Sequence, residues 1–357
     1  MGPESDGARP QIALDSKLHW SFTFALQYFY NTFTVALQFF PLDMVSFSCR
    51  PFGRTAHNHT KGIAAMARKN RVKTKNDAYY HVISRIAHQA FLMDDAVKRK
   101  MLDILYSAAA FCGVVVGTYM LMDNHFHILV YVPADAGAPP AMDVVLKRIE
   151  ALYGEIKALR LKERWERMLR EGREAAVEAE LDRYRRRMRD ISEFLKTFKQ
   201  RVTQWYNLDR GHVGTLWTGR FKGPLIEEGE YLATCAKYIQ NNPVSAGMVS
   251  DTADYRWGAP GAAKRGDVRA QASLRFLDSV FARCVEEGRL SWEDVVVPNG
   301  RDRRFSNGVV IGSPEFVARH APRPQSGLCR SRRPNHIVGN VYSSHGQRSA
   351  PTGVQAA

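Results

Sequence analysis

Two histidines, His125 and His127, stand two residues apart in Asp123-Asn124-His125-Phe126-His127-Ile128-Leu129-Val130. Alternate side chains of an extended strand face the same way. His125 and His127 therefore share a face with Leu129 and Tyr131, and Phe126, Ile128, Val130 and Val132 take the other. Two imidazoles so placed can hold one metal ion, although His-x-His alone is more often an unliganded pair on a sheet. A second stretch, Tyr238-Ile239-Gln240-Asn241-Asn242-Pro243, adds a phenol and an amide four residues apart. On a helix they lie about one turn, or ~6 Å, apart along the axis and share a face. Taken singly, Tyr238 reads equally as a core-edge tyrosine and Asn242 as a helix C-cap.

The elements around these residues can be read from periodicity. Thr118 to Leu121 and His125 to Val132 are apolar runs joined at Asp123-Asn124, which predicts a β-hairpin. Upstream, Tyr79 to Ile86 is strand-like. Asp94 to Phe111 repeats apolar residues at helical spacing (Val97, Met101, Ile104, Leu105, Ala108), with Gly113 as its stop. The order β-α-β-β predicts an α+β fold with a ferredoxin-like antiparallel sheet and packed helices. Pro139-Pro140 interrupts the chain, and residues 142–192 then read as a long, charged helical insertion. From Lys147 to Arg201 there are 17 basic and 11 acidic residues, which predicts a solvated helical hairpin around Gly172. Ile191 to Tyr206 differs. Phe194, Leu195, Phe198, Val202 and Trp205 form an apolar stripe with Lys196, Lys199 and Arg201 beside it, so this helix packs on the sheet and offers a basic edge. Pro224-Leu225-Ile226 predicts a short final strand. Glu227 to Asn241 is helical and ends at Pro243.

The net charge is +15 and the pI about 9.7. That favours a polyanionic partner, nucleic acid ahead of an anionic membrane. Between Gly211 and Gly223, Trp217, Arg220, Phe221 and Lys222 interleave aromatics with cations, a composition suited to phosphate contacts and base stacking, although Trp217 alone fits a buried turn as well. The five cysteines (Cys49, Cys112, Cys235, Cys284, Cys329) are scattered and form no C-x-x-C. This argues against a disulfide framework or zinc ribbon and fits a reducing, cytoplasmic setting. No Gly-rich phosphate loop points to a nucleotide cofactor. Residues 1–65 differ in composition from the rest. No Lys, Arg, Asp or Glu occurs between Lys17 and Asp43, yet Gln27, Asn31, Gln38 and Pro41 argue against a membrane span. Met66-Ala67-Arg68-Lys69 reads as a natural start, which makes 1–65 a non-native or disordered extension. Residues 259–320 read as a small C-terminal region, a candidate for DNA binding, and 321–357 as a disordered basic tail.

Four motifs occur in a fixed order: Tyr80-His81-Val82; Asp123-Asn124-His125-Phe126-His127; Gly214-Thr215-Leu216-Trp217 with Arg220-Phe221-Lys222; and Tyr238-Ile239-Gln240-Asn241-Asn242-Pro243-Val244 with Ala246-Gly247. Together, over residues 66–258, they resemble the single-tyrosine HUH transposases, most closely the REP-associated tyrosine transposases. Each motif is weak alone; the ordered set is specific. Gly258-Ala259-Pro260-Gly261 and Val297-Pro298-Asn299-Gly300 depart from the pattern of close relatives, which bears more on the C-terminal part than on the active site.

The resemblance implies that His125 and His127 are the paired histidines, Asn242 the third metal ligand and Tyr238 the nucleophile. It implies Mg²⁺ or Mn²⁺ as cofactor, single-stranded or hairpin DNA as partner, and a 5′-phosphotyrosine intermediate. Lys196, Lys199, Arg201, Trp217, Arg220 and Lys222 are then the expected DNA-binding residues. The protein acts as a monomer or a homodimer on this reading, without a membrane. The chemistry of the residues agrees. Tyrosine is both a workable nucleophile and a good leaving group, so the covalent link conserves bond energy and rejoining needs no ATP. Two readings compete: a domesticated or decayed nucleic-acid-binding protein that does not cut, and a metal-dependent hydrolase using water.

Overall fold

The computed structural model describes residues 72–134, 137–296, 302, 304–305 and 308–321. The described residues all fall within one compact unit. The expectations for residues 1–65, for Val297 to Gly300 and for the tail beyond residue 321 lie outside the described residues.

Strand β1 (Ala78–Arg85) is followed by helix α1 (Asp95–Cys112), β2 (Val115–Leu121) and β3 (His125–Val132). The Asp94 carboxylate caps α1 by accepting from Val97 N at 2.9 Å, and Gly113 ends it at φ 63°, the left-handed conformation glycine adopts without strain. The insertion forms α2 (Met142–Tyr153), α3 (Glu155–Arg170) and α4 (Glu174–Arg185). Then come α5 (Ile191–Arg210), β4 (Leu225–Ile226), α6 (Glu230–Gln240) and a further turn, α7 (Asn242–Ser245). Helices α8 (Ala259–Lys264) and α9 (Val268–Glu286), strand β5 (Val310–Ile311) and helix α10 (Pro314–His320) complete the described elements.

The sheet order is β2-β3-β1-β4-β5. β1 pairs antiparallel with both β3 and β4, and β2 with β3. The first four strands thus give the expected ferredoxin-like arrangement, with α1 and α5 as the two crossover helices. One difference is that β4 is not the last strand. β5 extends the sheet by pairing parallel to β4, supported by Leu225 N to Val309 O at 3.0 Å and Glu227 N to Ile311 O at 2.9 Å.

Alternation along β1 and β3 separates two faces. Tyr80, Val82, Phe126, Ile128 and Val130 are buried on the side of α5, where Phe126 meets Phe198 edge-on at 5.4 Å. On the other face the register pairs Arg85 with His125, Ile83 with His127, His81 with Leu129 and Tyr79 with Tyr131. Helix α6 covers this face over β2 and β3. Helix α9 covers it further along, with Phe276 5.4 Å from Tyr131. Residues 259–286 are therefore continuous with the sheet and do not stand apart from it.

Two expectations change in detail. The insertion is not a purely solvated hairpin. Its inner side closes around Trp165, fully buried, whose indole N–H donates to Glu180 Oε2 at 2.8 Å, with Leu161, Met168, Val177 and Leu181 around it. The helix expected from Glu227 starts at Glu230 because the preceding acids are engaged elsewhere. Glu227 bonds Ser313, and Glu228 takes Tyr79, Arg283 and Arg289 before the chain turns at Gly229. The other end is as expected, since α6 stops at Gln240, ahead of Pro243. It sits at the start of α7, a position proline tolerates.

Candidate active site

The corner at Asp123-Asn124 sets the height of the paired histidines. Ile86 N donates to Asn124 O at 2.9 Å and Met93 N to Asp123 O at 3.1 Å. Beneath the corner, the buried ammonium of Lys98 pairs with Asp123 and lies 5.8 Å from the ring of Tyr255. Tyr255 in turn donates to Leu121 O at 2.7 Å. A buried cation needs such a partner, so this pairing ties α1 to the turn that launches β3.

His125 Nδ1 lies 2.7 Å from Asn124 Oδ1. An amide oxygen only accepts, so the ring proton is on Nδ1 and the Nε2 lone pair is left for the cleft. Burial pushes the His125 pKa down to about 4, with Arg85 adding to the shift and Asp123 opposing it. His127 is buried, and its Nδ1 lies 2.9 Å from His81 Nε2, with the two rings stacked at 18°. Burial holds His127 well below the usual imidazole range, and it brings His81 down to about 3. All three are neutral at pH 7, the form a metal requires of an imidazole.

Tyr238 comes to the same place from α6. Its ring is 5.9 Å from those of His127 and His81 and stacks on Phe305 at 4.9 Å and 25°. It is 5% exposed. One turn on, the Asn242 amide nitrogen donates to Tyr238 O at 2.8 Å and to Ile239 O at 3.3 Å. The asparagine thus caps α6 through its nitrogen while its oxygen stays available as a donor atom. His125, His127, Tyr238 and Asn242 line one cleft of about 380 Å³, together with Arg85, Arg220 and Lys222.

Among the described residues, no group of three or more His, Cys, Asp and Glu side chains is set to hold a metal ion. A metal here would rest on His125, His127 and the Asn242 amide. The donors fit that task in kind: two neutral imidazoles, one with its tautomer fixed by Asn124, and an uncharged oxygen.

The other expected DNA contacts are placed differently. Lys196 is exposed and pairs with Glu193 at 3.3 Å. Lys199 donates to Gly219 O at 2.6 Å and lies over Trp217. The guanidinium of Arg201 lies 4.8 Å over the ring of Tyr153. Trp217 is in the core: its N–H donates to Thr203 Oγ1 at 2.9 Å and its ring meets Phe126 at 5.5 Å. These residues belong to the α5 side of the sheet, opposite the histidines. Conversely, Arg85 and Phe305 join the site without having been singled out, and so does His81, which was noted only within the Tyr80-His81-Val82 motif. Alternation from Tyr79 puts His81 and Arg85 on one face, and that signal was present in the sequence. Nothing local brings in Phe305.

No protein-family model matches the chain, and no curated protein matches it. Among solved structures, one described as a REP-associated tyrosine transposase bound to a REP hairpin is similar over 66% of this chain and 94% of that chain. The identity is 12% and the TM-score 0.36, a likeness that carries no functional argument.

Proposed function

We propose that the chain is a metal-dependent single-stranded DNA transposase that nicks and rejoins hairpin-forming, REP-like DNA through a 5′-phosphotyrosine. One observation carries the reading: Tyr238, His125, His127 and Asn242, from distant parts of the sequence, line a single cleft with cations at its edge. In the first step Tyr238 Oη attacks the phosphorus and the P–O3′ bond breaks. The phenolic proton passes to solvent, and the leaving oxygen takes a proton to become a free 3′-OH. Rejoining reverses this. A 3′-OH attacks the phosphotyrosine, the P–Oη bond breaks, and the phenol is restored without a nucleotide. Mg²⁺ or Mn²⁺ held by His125, His127 and Asn242 would supply charge neutralisation at the non-bridging oxygens. Arg85, Arg220 and Lys222 bring cations to the DNA backbone.

The test is incubation of the full chain with 5′- and 3′-labelled hairpin oligonucleotides from DNA flanking its own gene, with Mn²⁺ or Mg²⁺, resolved on denaturing gels. The expected product is a protein–DNA adduct, lost in Tyr238→Phe while binding persists. Cleavage retained in Tyr238→Phe overturns the assignment, and product without adduct indicates water as the nucleophile. The burial of Tyr238 under Phe305 favours a second reading, a nucleic-acid-binding protein that does not cut. It predicts hairpin binding that survives EDTA and yields no adduct.

A further inference from the structure

We propose that Phe91 is a stacking platform for a nucleobase of single-stranded DNA, carried by the loop 87–93 where the sheet ends beside the cleft. The inference rests on reading that cleft as a single-stranded DNA site.

β1 and β3 finish together, with Arg85 paired to His125, and both residues line the cleft. The chain then crosses this end of the sheet. On one side Ile86 bridges to Trp217 and Ala87 N donates to Leu216 O at 3.0 Å. On the other, Ile86 N and Met93 N donate to Asn124 O and Asp123 O, and the Asn124 amide nitrogen reaches Gln89 O at 3.4 Å. The loop is therefore fastened both to the corner that launches His125 and to the segment that leads to Arg220. Within it His88 and Gln89 each take φ 56°, a left-handed conformation that residues other than glycine rarely adopt. Two such residues in succession persist only where their surroundings hold them, and backbone strain of this kind gathers at ligand sites. Beyond them Leu92 is partly buried and Met93 is in the core, but Phe91 stands in solvent. It is 78% exposed; Trp292, the next most exposed aromatic among the described residues, is 48% exposed. A lone exposed apolar side chain needs no account by its composition alone. Here the ring is held out by a pinned, strained loop at the rim of a cleft whose edge carries Arg85 and Arg220. Single-strand binding combines those two parts, cations for the backbone and an aromatic face on which any base can stack.

Fluorescence anisotropy on the full chain in EDTA tests this. The probes are hairpin oligonucleotides with single-stranded tails, taken from DNA flanking its own gene, and the same oligonucleotides made abasic at one tail position at a time. Phe91→Ala is expected to weaken binding of the intact probe ~5–150-fold, and Phe91→Trp to keep it. One abasic position should weaken wild type by a similar factor and leave Phe91→Ala unaffected, because base and ring are lost as a pair. Equal affinity in wild type and Phe91→Ala overturns the platform. So does a loss in Phe91→Ala that no abasic position reproduces. The ring's exposure keeps folding out of the comparison, and equal urea midpoints for wild type and Phe91→Ala are expected. Light scattering closes the remaining route: a change of oligomeric state in Phe91→Ala assigns the ring to a contact between copies and overturns the proposal. Wild type that binds no single-stranded DNA defeats the reading of the cleft, and the platform with it. Wild type that binds, with Phe91→Ala binding equally well, defeats the platform alone.

Discussion

Mild acid should destabilise this protein well above the pH at which carboxylates protonate. His81 and His125 are held neutral down to about 3 and 4, and His127 also lies far below its ordinary value, all mainly through burial. In the unfolded chain each returns to about 6.5. Below that pH the unfolded state takes up protons the native state refuses, so stability is intact above pH 6.5 and is lost as pH falls towards 4. Between pH 6 and pH 5 each imidazole removes about 1.2 kcal/mol, and the three together roughly 3–4 kcal/mol. Against a typical total of about 5–15 kcal/mol this is a large share. Other shifted acids act outside that window. Asp94, Asp190 and Asp267 are lowered and lose their contribution only near or below pH 4, while Glu230, raised by burial, works with the opposite sign around its own range. Urea titrations in EDTA at pH 7, 6 and 5, followed by tryptophan emission, measure the effect directly. A midpoint that does not move between pH 7 and pH 5 at constant m would refute the idea that these three rings are held neutral in the fold.

Other perturbations probe the remaining parts of the argument. The double substitution of Arg85 and Arg220 by Gln should weaken single-stranded DNA binding and flatten its salt dependence by roughly 1.4 in log–log slope, since each phosphate contact on a single strand is worth about 0.7; an unchanged slope places the DNA elsewhere. Asp123→Ala strands the buried Lys98 ammonium and should cost about 3 kcal/mol in denaturant unfolding, more than Lys98→Met, which removes the charge as well. Trp217→Phe deletes the indole donor to Thr203 and should cost about 1 kcal/mol while leaving DNA affinity unchanged, because the ring lies in the core; a marked loss of affinity would restore a stacking role.

Much of the site was legible because two short-range rules operate without interference. Strand alternation put His125 and His127 on one face, and helical spacing put Tyr238 above Asn242. The ferredoxin-like order followed from the β-α-β-β pattern and the apolar stripe of α5. The sequence failed where a residue's role depends on a distant partner. Lys199 and Arg201 look like a free basic edge, yet lie over Trp217 and Tyr153, residues far away in the chain. Trp217 reads equally as a stacking platform or a buried turn residue, and the pairing of Ile86 with Trp217 decides for the second by turning it towards Phe126. The insertion's charge concealed the small core around Trp165. β5 and Phe305 sit in a stretch with weak periodicity, and only the open edge of β4 gives them a place.

The position of β1 has a consequence for synthesis. It is the first described strand in the chain and lies inside the sheet, with β3 on one edge and β4 on the other. A nascent chain released from the ribosome through β3 has paired one edge of β1 and left the other open, a template for unwanted strand addition until β4 arrives. Its histidines are by then in place, but Tyr238 is still to be made, and the Phe305 stretch comes later still. If Tyr238 is the nucleophile as proposed, a chain that stops before it keeps the paired histidines but has no group to link to DNA.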